Sequence, residues 1–149
     1  MLGLGNPARG DDAAGRFVAR RLRVEPPVGV EIVESEGEAT ALLDEIDGAA
    51  AVYLVDACVS GAPPGAIHRF DATAAPLPDL GSGLSTHGFG VSVAIELARA
   101  LDRLPLRCVL YAIDGGSFDL GAPLSPPVAE AVAEVVRRLR AEIDLARAE

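Results

Sequence analysis

The chain has 149 residues and a net charge of −9, and half of its residues are hydrophobic. This length suits one domain with its own core, and the acidic balance opposes nucleic-acid binding, which requires a positive surface. All 13 basic residues are Arg, which excludes any mechanism that depends on a lysine. No apolar run is long enough to span a membrane and no signal peptide is recognisable. We therefore expect a cytoplasmic monomer without membrane contacts.

The first predicted element is a short strand at residues 1–4, which leads into a Gly-Asn-Pro turn. A helix follows Asp11 and Asp12, because apolar residues then recur at helical spacing. The carboxylates of Asp11 and Asp12 suit the start of this helix, because they can cap its N–H groups and interact favourably with the helix dipole. A weakly alternating segment predicts a strand at 28–33, and an acidic loop is predicted at 34–38.

The strongest strand signal lies in the middle of the chain. A short helix with Leu42, Leu43 and Ile46 on one face precedes a continuous apolar run at 49–55, which ends at Asp56. Such a run is typical of a central strand that is covered on both faces.

The connection that follows, at 60–65, is too short for a helical crossover. Residues 66–70 are therefore predicted to return as an antiparallel strand, with His68 facing solvent. Residues 72–85 are predicted to form a loop because they contain several Pro and Gly residues and little periodicity.

The last third of the chain predicts a helix from residue 86 or 88 to about 102, with Val91, Ala94, Ile95 and Ala98 along one stripe. A buried strand at 107–113 and a Gly-rich loop at 114–124 come next. Ser125 and Pro126 then begin the final helix, with a capping hydroxyl and a favourable backbone angle.

The order β-α-β-α-β-β-α-β-α predicts an α/β fold. We expect residues 1–149 to form a single three-layer domain, with a twisted, mostly parallel five-stranded sheet, one antiparallel strand, and helices on both faces. Cys58 and Cys108 are expected to be buried free thiols. They lack a Cys-x-x-Cys spacing, so a thiolate zinc site is not expected.

The Gly-rich start could suggest a phosphate cradle. A dinucleotide fingerprint needs a third glycine, however, and Ala8 stands in its place. Asp11 and Asp12 would also repel a pyrophosphate. A nucleotide site is therefore disfavoured.

Asp12, Asp56 and His87 each lie where a predicted strand ends or a helix begins. Each alone has an ordinary explanation as a helix cap, a turn residue or a loop histidine, although Asp56 ends an apolar segment where a charge needs a partner. In a doubly wound sheet these points can share the crevice at the carboxyl edge. Two carboxylates and an imidazole suit nickel or zinc better than calcium.

Several motifs together resemble the hydrogenase maturation endopeptidases. They are Gly-Leu-Gly-Asn-Pro at 3–7 followed by Asp11 and Asp12, Val-Asp-Ala at 55–57, and Ser-Thr-His-Gly at 85–88. Similar segments also lie at 61–65, 116–118 and 124–126. Members of the family usually carry several apolar residues before the first of these motifs.

The resemblance implies a function. The family removes a short C-terminal extension from the large-subunit precursor of nickel–iron hydrogenase after nickel has been inserted. Its metal-contacting and catalytic positions correspond to Asp12, Asp56 and His87. The expected cofactor is nickel supplied by the substrate, which zinc or cadmium could replace in a crystal. Activation of water by the metal and by an aspartate as general base both remain open.

Two other functions compete with this one. A metal-dependent module could bind the precursor without cutting it. Peptidyl-tRNA hydrolases also begin with Gly-Leu-Gly-Asn-Pro, but they place a catalytic histidine soon after it, and this chain has no histidine before His68. The acidic charge also opposes tRNA binding.

Overall fold

A computed structural model describes residues 1–78 and 88–149, with side chains for 1–78 and 90–149. The predicted site residue His87 and the end of the predicted loop at 72–85 lie outside the described residues. The strands are β1 (Leu2–Leu4), β2 (Val33–Ser35), β3 (Ala51–Cys58), β4 (Ile67–Asp71) and β5 (Arg107–Asp114). The α-helices are α1 (Ala14–Val24), α2 (Ala39–Ile46), α3 (Gly88–Ala100) and α4 (Pro126–Arg147), and a 3-10 helix (Gly10–Ala13) leads into α1.

The five strands form one sheet in the order β2-β1-β3-β5-β4. All neighbouring pairs are parallel except β4 and β5, which are antiparallel. The predicted α/β fold, with its single antiparallel strand, is therefore confirmed. β4 pairs with β5 rather than with β3, although β3 precedes it in the chain, and so β4 lies at the edge of the sheet.

Two cores lie on opposite faces of the sheet. Helices α1 and α4 pack on the face that carries Tyr53 and Val55 of β3, and α2 and α3 pack on the face that carries Val52 and Leu54. Successive strand residues point to opposite faces. A strand covered on both sides must therefore be apolar throughout, which explains the unbroken apolar run of β3.

The helical stripes predicted from the sequence are buried. Val91, Ala94, Ile95 and Ala98 of α3 are at most 4% exposed. In α4 the buried residues recur at the same spacing. Among the described residues, no helix is both long enough and apolar enough to cross a bilayer.

Two predicted strand boundaries are wrong. The strand predicted at 28–33 is instead β2, Val33–Ser35, and it includes two residues predicted to be in a loop. β2 pairs only with β1. Because β1 has three residues, no more than three residues of β2 can pair with it. The apolar strand predicted to end before Asp56 continues to Cys58, because β5 pairs with it along the whole of this length.

Candidate active site

A tight turn brings the 3-10 helix against the carboxyl end of β3. Gly5 has a φ of +124°, and a Cβ there would lie 1.8 Å from the carbonyl oxygen of Asp12. A Cβ on Gly15 would lie 2.2 Å from the carbonyl oxygen of Val55. No side chain can occupy such a space. The two glycines therefore allow the start of α1 to approach the strand that carries Asp56.

Asp12 is 8% exposed, and its Oδ2 accepts a hydrogen bond from the backbone N–H of Asn6 at 2.9 Å. Asp12 and Asp11 lie within the first turn of the 3-10 helix. Neither this helix nor α1 has a side-chain capping hydrogen bond. The expected capping by these carboxylates is therefore wrong, including for Asp11, which was assigned to the helix start, because the carboxylates accept hydrogen bonds from more distant partners. Their position in the first turn still suits the helix dipole.

Asp11 is fully buried and binds the loop before α4. Its carboxylate accepts the backbone N–H groups of Gly116, Ser117 and Ser125 at 2.7–3.0 Å and the Ser125 hydroxyl at 2.8 Å. Burial alone would raise the pKa of Asp11, but these donors stabilise the anion and hold its pKa below the usual value. The predicted capping role of Ser125 is also wrong, since its hydroxyl donates to Asp11 and makes no cap of α4.

Asp56 lies within β3, two residues after Leu54, and so its side chain points to the α2–α3 face. It is partly buried, and Oδ1 accepts the N–H of Ala57 at 2.9 Å. Burial, and then repulsion from the carboxylate of Asp12, raise the pKa of Asp56 to about 7. Asp12 is thus near enough to Asp56 for its charge to affect the pKa of Asp56. The prediction that the two residues share one site stays a prediction.

The third predicted site residue, His87, immediately precedes the described start of α3. Helix α3 packs on the face of the sheet to which Asp56 points. The prediction that His87 joins the two carboxylates stays a prediction.

A second polar cluster was not predicted. Cys58, His68 and Asp114 have potential ligand atoms that all lie within 4.8 Å of one another. The prediction that His68 faces solvent is wrong: its side chain is 29% exposed, and Nε2 lies 2.5 Å from Asp114 Oδ2. The sequence feature that could have indicated this cluster is Asp114. It comes at the end of a buried strand, as Asp56 comes at the end of an apolar run.

Both cysteines are free, as predicted, but only Cys108 is fully buried and Cys58 is partly buried. Burial, and then the neighbouring carboxylate of Asp114, raise the pKa of the Cys58 thiol to about 12. Without a bound cation this thiol is therefore protonated and a weak nucleophile.

The sequence model of the hydrogenase maturation proteases matches residues 17–142. The chain belongs to this family. It is accordingly a hydrolase of the endopeptidase class, and its membership decides against peptidyl-tRNA hydrolase. The match includes Asp56 and His87 but begins after Asp12.

Solved structures of hydrogenase maturation proteases have the same fold. The endopeptidase HybD from E. coli is 20% identical, with a TM-score of 0.79, and the similarity covers 97% of this chain and 91% of that one. The NiFe hydrogenase maturation protease HycI from Thermococcus kodakarensis KOD1 is 27% identical, with a TM-score of 0.68 and coverage of 93% and 87%. HybD from Thermococcus kodakarensis is 23% identical, with a TM-score of 0.65 and coverage of 93% of both chains. No curated protein matches the sequence significantly.

Proposed function

We propose that this hydrogenase maturation protease removes the C-terminal extension of a nickel–iron hydrogenase large-subunit precursor after nickel insertion. In this proposal Asp12, Asp56 and His87 recognise nickel that the precursor already carries. The observation that supports it best is the pairing of Asp12 with Asp56 at the carboxyl edge of the sheet, where ligands collect in open α/β folds.

The pair has the electrostatic character of a cation site. Burial of Asp56, and then repulsion from the nearby carboxylate of Asp12, raise the pKa of Asp56. A divalent cation would remove the repulsion and favour the ionised form of Asp56. Because the pair is strained without a cation, a precursor that carries nickel should bind better than one that does not.

The ligand types also suit the proposed substrate. Carboxylate oxygens and an imidazole nitrogen are acceptable ligands for nickel, and three protein groups leave coordination positions for the precursor's own ligands. The ion would polarise the scissile carbonyl or a water molecule. In the competing account, an aspartate of the pair accepts the proton that the attacking water loses.

The test uses purified nickel-loaded and nickel-free precursors, with the cleaved peptide detected by mass spectrometry. Wild-type protein is compared with Asp12→Asn, Asp56→Asn and His87→Ala, and with Asp44→Asn as a control at an exposed carboxylate of α2. We expect cleavage of the nickel-loaded precursor alone. Each site variant should lose roughly 100-fold or more in rate, which is the scale of a lost acid–base group, and the control should lose nothing.

Three outcomes would contradict this proposal. Equal cleavage of the nickel-free precursor would show that the protease does not recognise nickel. Full activity of all three site variants would show that these residues are not the active site. An unchanged precursor mass, together with complex formation, would show a module that binds without cutting.

A further inference from the structure

The cluster of Cys58, His68 and Asp114 is built from three neighbouring strands. Cys58 ends β3 and pairs in register with Asp114, which ends β5. His68 of β4 lies opposite Ala112, two residues before Asp114. By strand alternation all three side chains belong to the face covered by α2 and α3. Their convergence is therefore a consequence of the sheet register.

Hydrogen bonds fix the carboxylate at the centre of the cluster. Asp114 is 1% exposed. Its Oδ1 accepts the N–H of Ser60 at 2.8 Å, and the Ser60 hydroxyl lies 3.0 Å from Oδ1 and 2.8 Å from Oδ2. The ring of His68 stacks beside that of Phe70, with 6.3 Å between their centroids. Such supporting contacts are the kind that orient metal ligands.

The cluster offers a thiol, an imidazole and a carboxylate, and these are the three ligand types that zinc uses in proteins. Its potential ligand atoms lie within 4.8 Å of one another. Tetrahedral zinc with bonds of about 2.0–2.3 Å separates its ligand atoms by roughly 3.3–3.7 Å. His68 and Asp114 must therefore separate by about 1 Å, and the partly exposed His68 side chain leaves room for that movement.

We propose that Cys58, His68 and Asp114 form a second metal site for zinc or a similar divalent ion, with water as the fourth ligand. On binding, the ion replaces the thiol proton of Cys58, which passes to solvent, and the neutral imidazole of His68 binds through Nε2 with its proton on Nδ1. The site joins the edge strand β4 to β3 and β5. It is independent of the proposed cleavage function and uses neither Asp12 nor Asp56.

The proposal departs from the expectation that this chain has no thiolate zinc site. That expectation rested on the missing Cys-x-x-Cys spacing, which applies to sites with several thiolates from one loop. A site with one thiolate, whose other ligands come from other strands, has no such local signature.

The experiment uses the metal-free full-length protein and Co²⁺ as a spectroscopic substitute for zinc. We expect one equivalent of Co²⁺ to give a thiolate-to-metal charge-transfer band and a tetrahedral ligand-field spectrum, both abolished by Zn²⁺. Cys58→Ser should lose the charge-transfer band. His68→Asn should weaken binding by roughly 10–100-fold or more, the loss expected when a metal site is damaged.

The control variants separate this site from the proposed nickel site. Cys108→Ala removes the other free cysteine, which lies on the same face of β5 but outside the cluster. It should keep the charge-transfer band, and so should Asp12→Asn. If wild-type protein instead shows Co²⁺ ligand-field bands without a charge-transfer band, and these are lost in Asp12→Asn, the metal occupies the proposed nickel site and the second site does not exist.

A measurement on wild-type protein alone removes any dependence on how the variants fold. Zn²⁺ should slow alkylation of the partly buried Cys58 by iodoacetamide, followed by peptide mapping, whereas the fully buried Cys108 should stay unmodified with and without Zn²⁺. Absence of a charge-transfer band in wild type, or equal alkylation of Cys58 with and without Zn²⁺, would overturn the proposal. The cluster would then be a hydrogen-bonded network only.

Discussion

Asp11 and Asp12 are adjacent and both buried, but their surroundings differ. The carboxylate of Asp11 accepts four hydrogen bonds from the loop before α4, and its pKa is lowered. The carboxylate of Asp12 accepts the N–H of Asn6 and adds to the effect of burial in raising the pKa of Asp56. A carboxylate with many donors stabilises the fold, whereas a carboxylate pair with few donors can still bind a cation.

The difference has a functional consequence. Asp11 joins the start of α1 to residues more than 100 positions away, and this contact keeps the 3-10 helix in place. Asp12 lies in the same helix and therefore depends on Asp11 for its position beside β3. We infer that the first aspartate is a positioning residue and the second a candidate ligand.

Replacing Asp11 should have the largest effect on stability. Asp11→Ala leaves the N–H groups of Gly116, Ser117 and Ser125 without their acceptor. Each buried donor without an acceptor lowers the free energy of unfolding. We expect the free energy of unfolding, measured by urea denaturation, to fall by about 3–5 kcal/mol. Asp12→Ala should lower it by at most about 1 kcal/mol. Equal losses in the two variants would show that the two aspartates do not differ in this way.

Replacing Asp56 should have an opposite, pH-dependent effect. The folded-state pKa of about 7 lies above the usual value for Asp, so the folded protein holds this proton more tightly than the unfolded chain. The proton's contribution to the free energy of unfolding is fully present below about pH 4. It declines as the pH rises and is lost above about pH 7. Asp56→Asn keeps the side-chain shape without the charge.

Asp56→Asn should therefore be more stable than wild type by about 2–4 kcal/mol near pH 8 and nearly equal to it near pH 4. Urea denaturation at both pH values measures the difference, and saturating Ni²⁺ should reduce it. A variant less stable than wild type at pH 8 would show that Asp56 is already paired with a positive partner.

The smallest expected effect concerns a single donor to Asp11. Ser125→Ala removes the hydroxyl that donates to Asp11 and leaves the backbone N–H of residue 125 in place. We expect a loss of about 1 kcal/mol in the free energy of unfolding and no change in the cleavage rate. A loss as large as that of Asp11→Ala would mean that the hydroxyl carries most of the interaction.

Much of the fold could be predicted because its signals are local. The apolar run of β3, the buried stripe of α3 and the short connection before β4 each lie within one segment of the chain. These signals were sufficient to predict the order of the elements and the presence of one antiparallel strand. The boundaries of β2 could not be predicted, because the length of a strand depends on its partner, here the three-residue β1.

The candidate site was predictable only in part. Asp56 was a candidate because a charge ends an apolar run, and in the structure the charge of Asp12 affects its pKa. The role of Asp11 was missed because its donors lie 105–114 residues away, and the helix start offered a nearer explanation. His68 was assigned to solvent because strand alternation does not show which neighbouring side chain a strand will meet.

The sequence alone determined the α/β class, the order of elements and the resemblance to hydrogenase maturation proteases, because periodicity and motifs are properties of consecutive residues. The tertiary structure decided which buried carboxylates are satisfied. Asp11 accepts hydrogen bonds from its donors, Asp12 affects the pKa of Asp56, and Asp114 lies beside His68, Ser60 and Cys58. These outcomes depend on sheet register and on contacts between distant segments. Two aspartates that are neighbours in the sequence thereby acquire different hydrogen-bond partners and different roles.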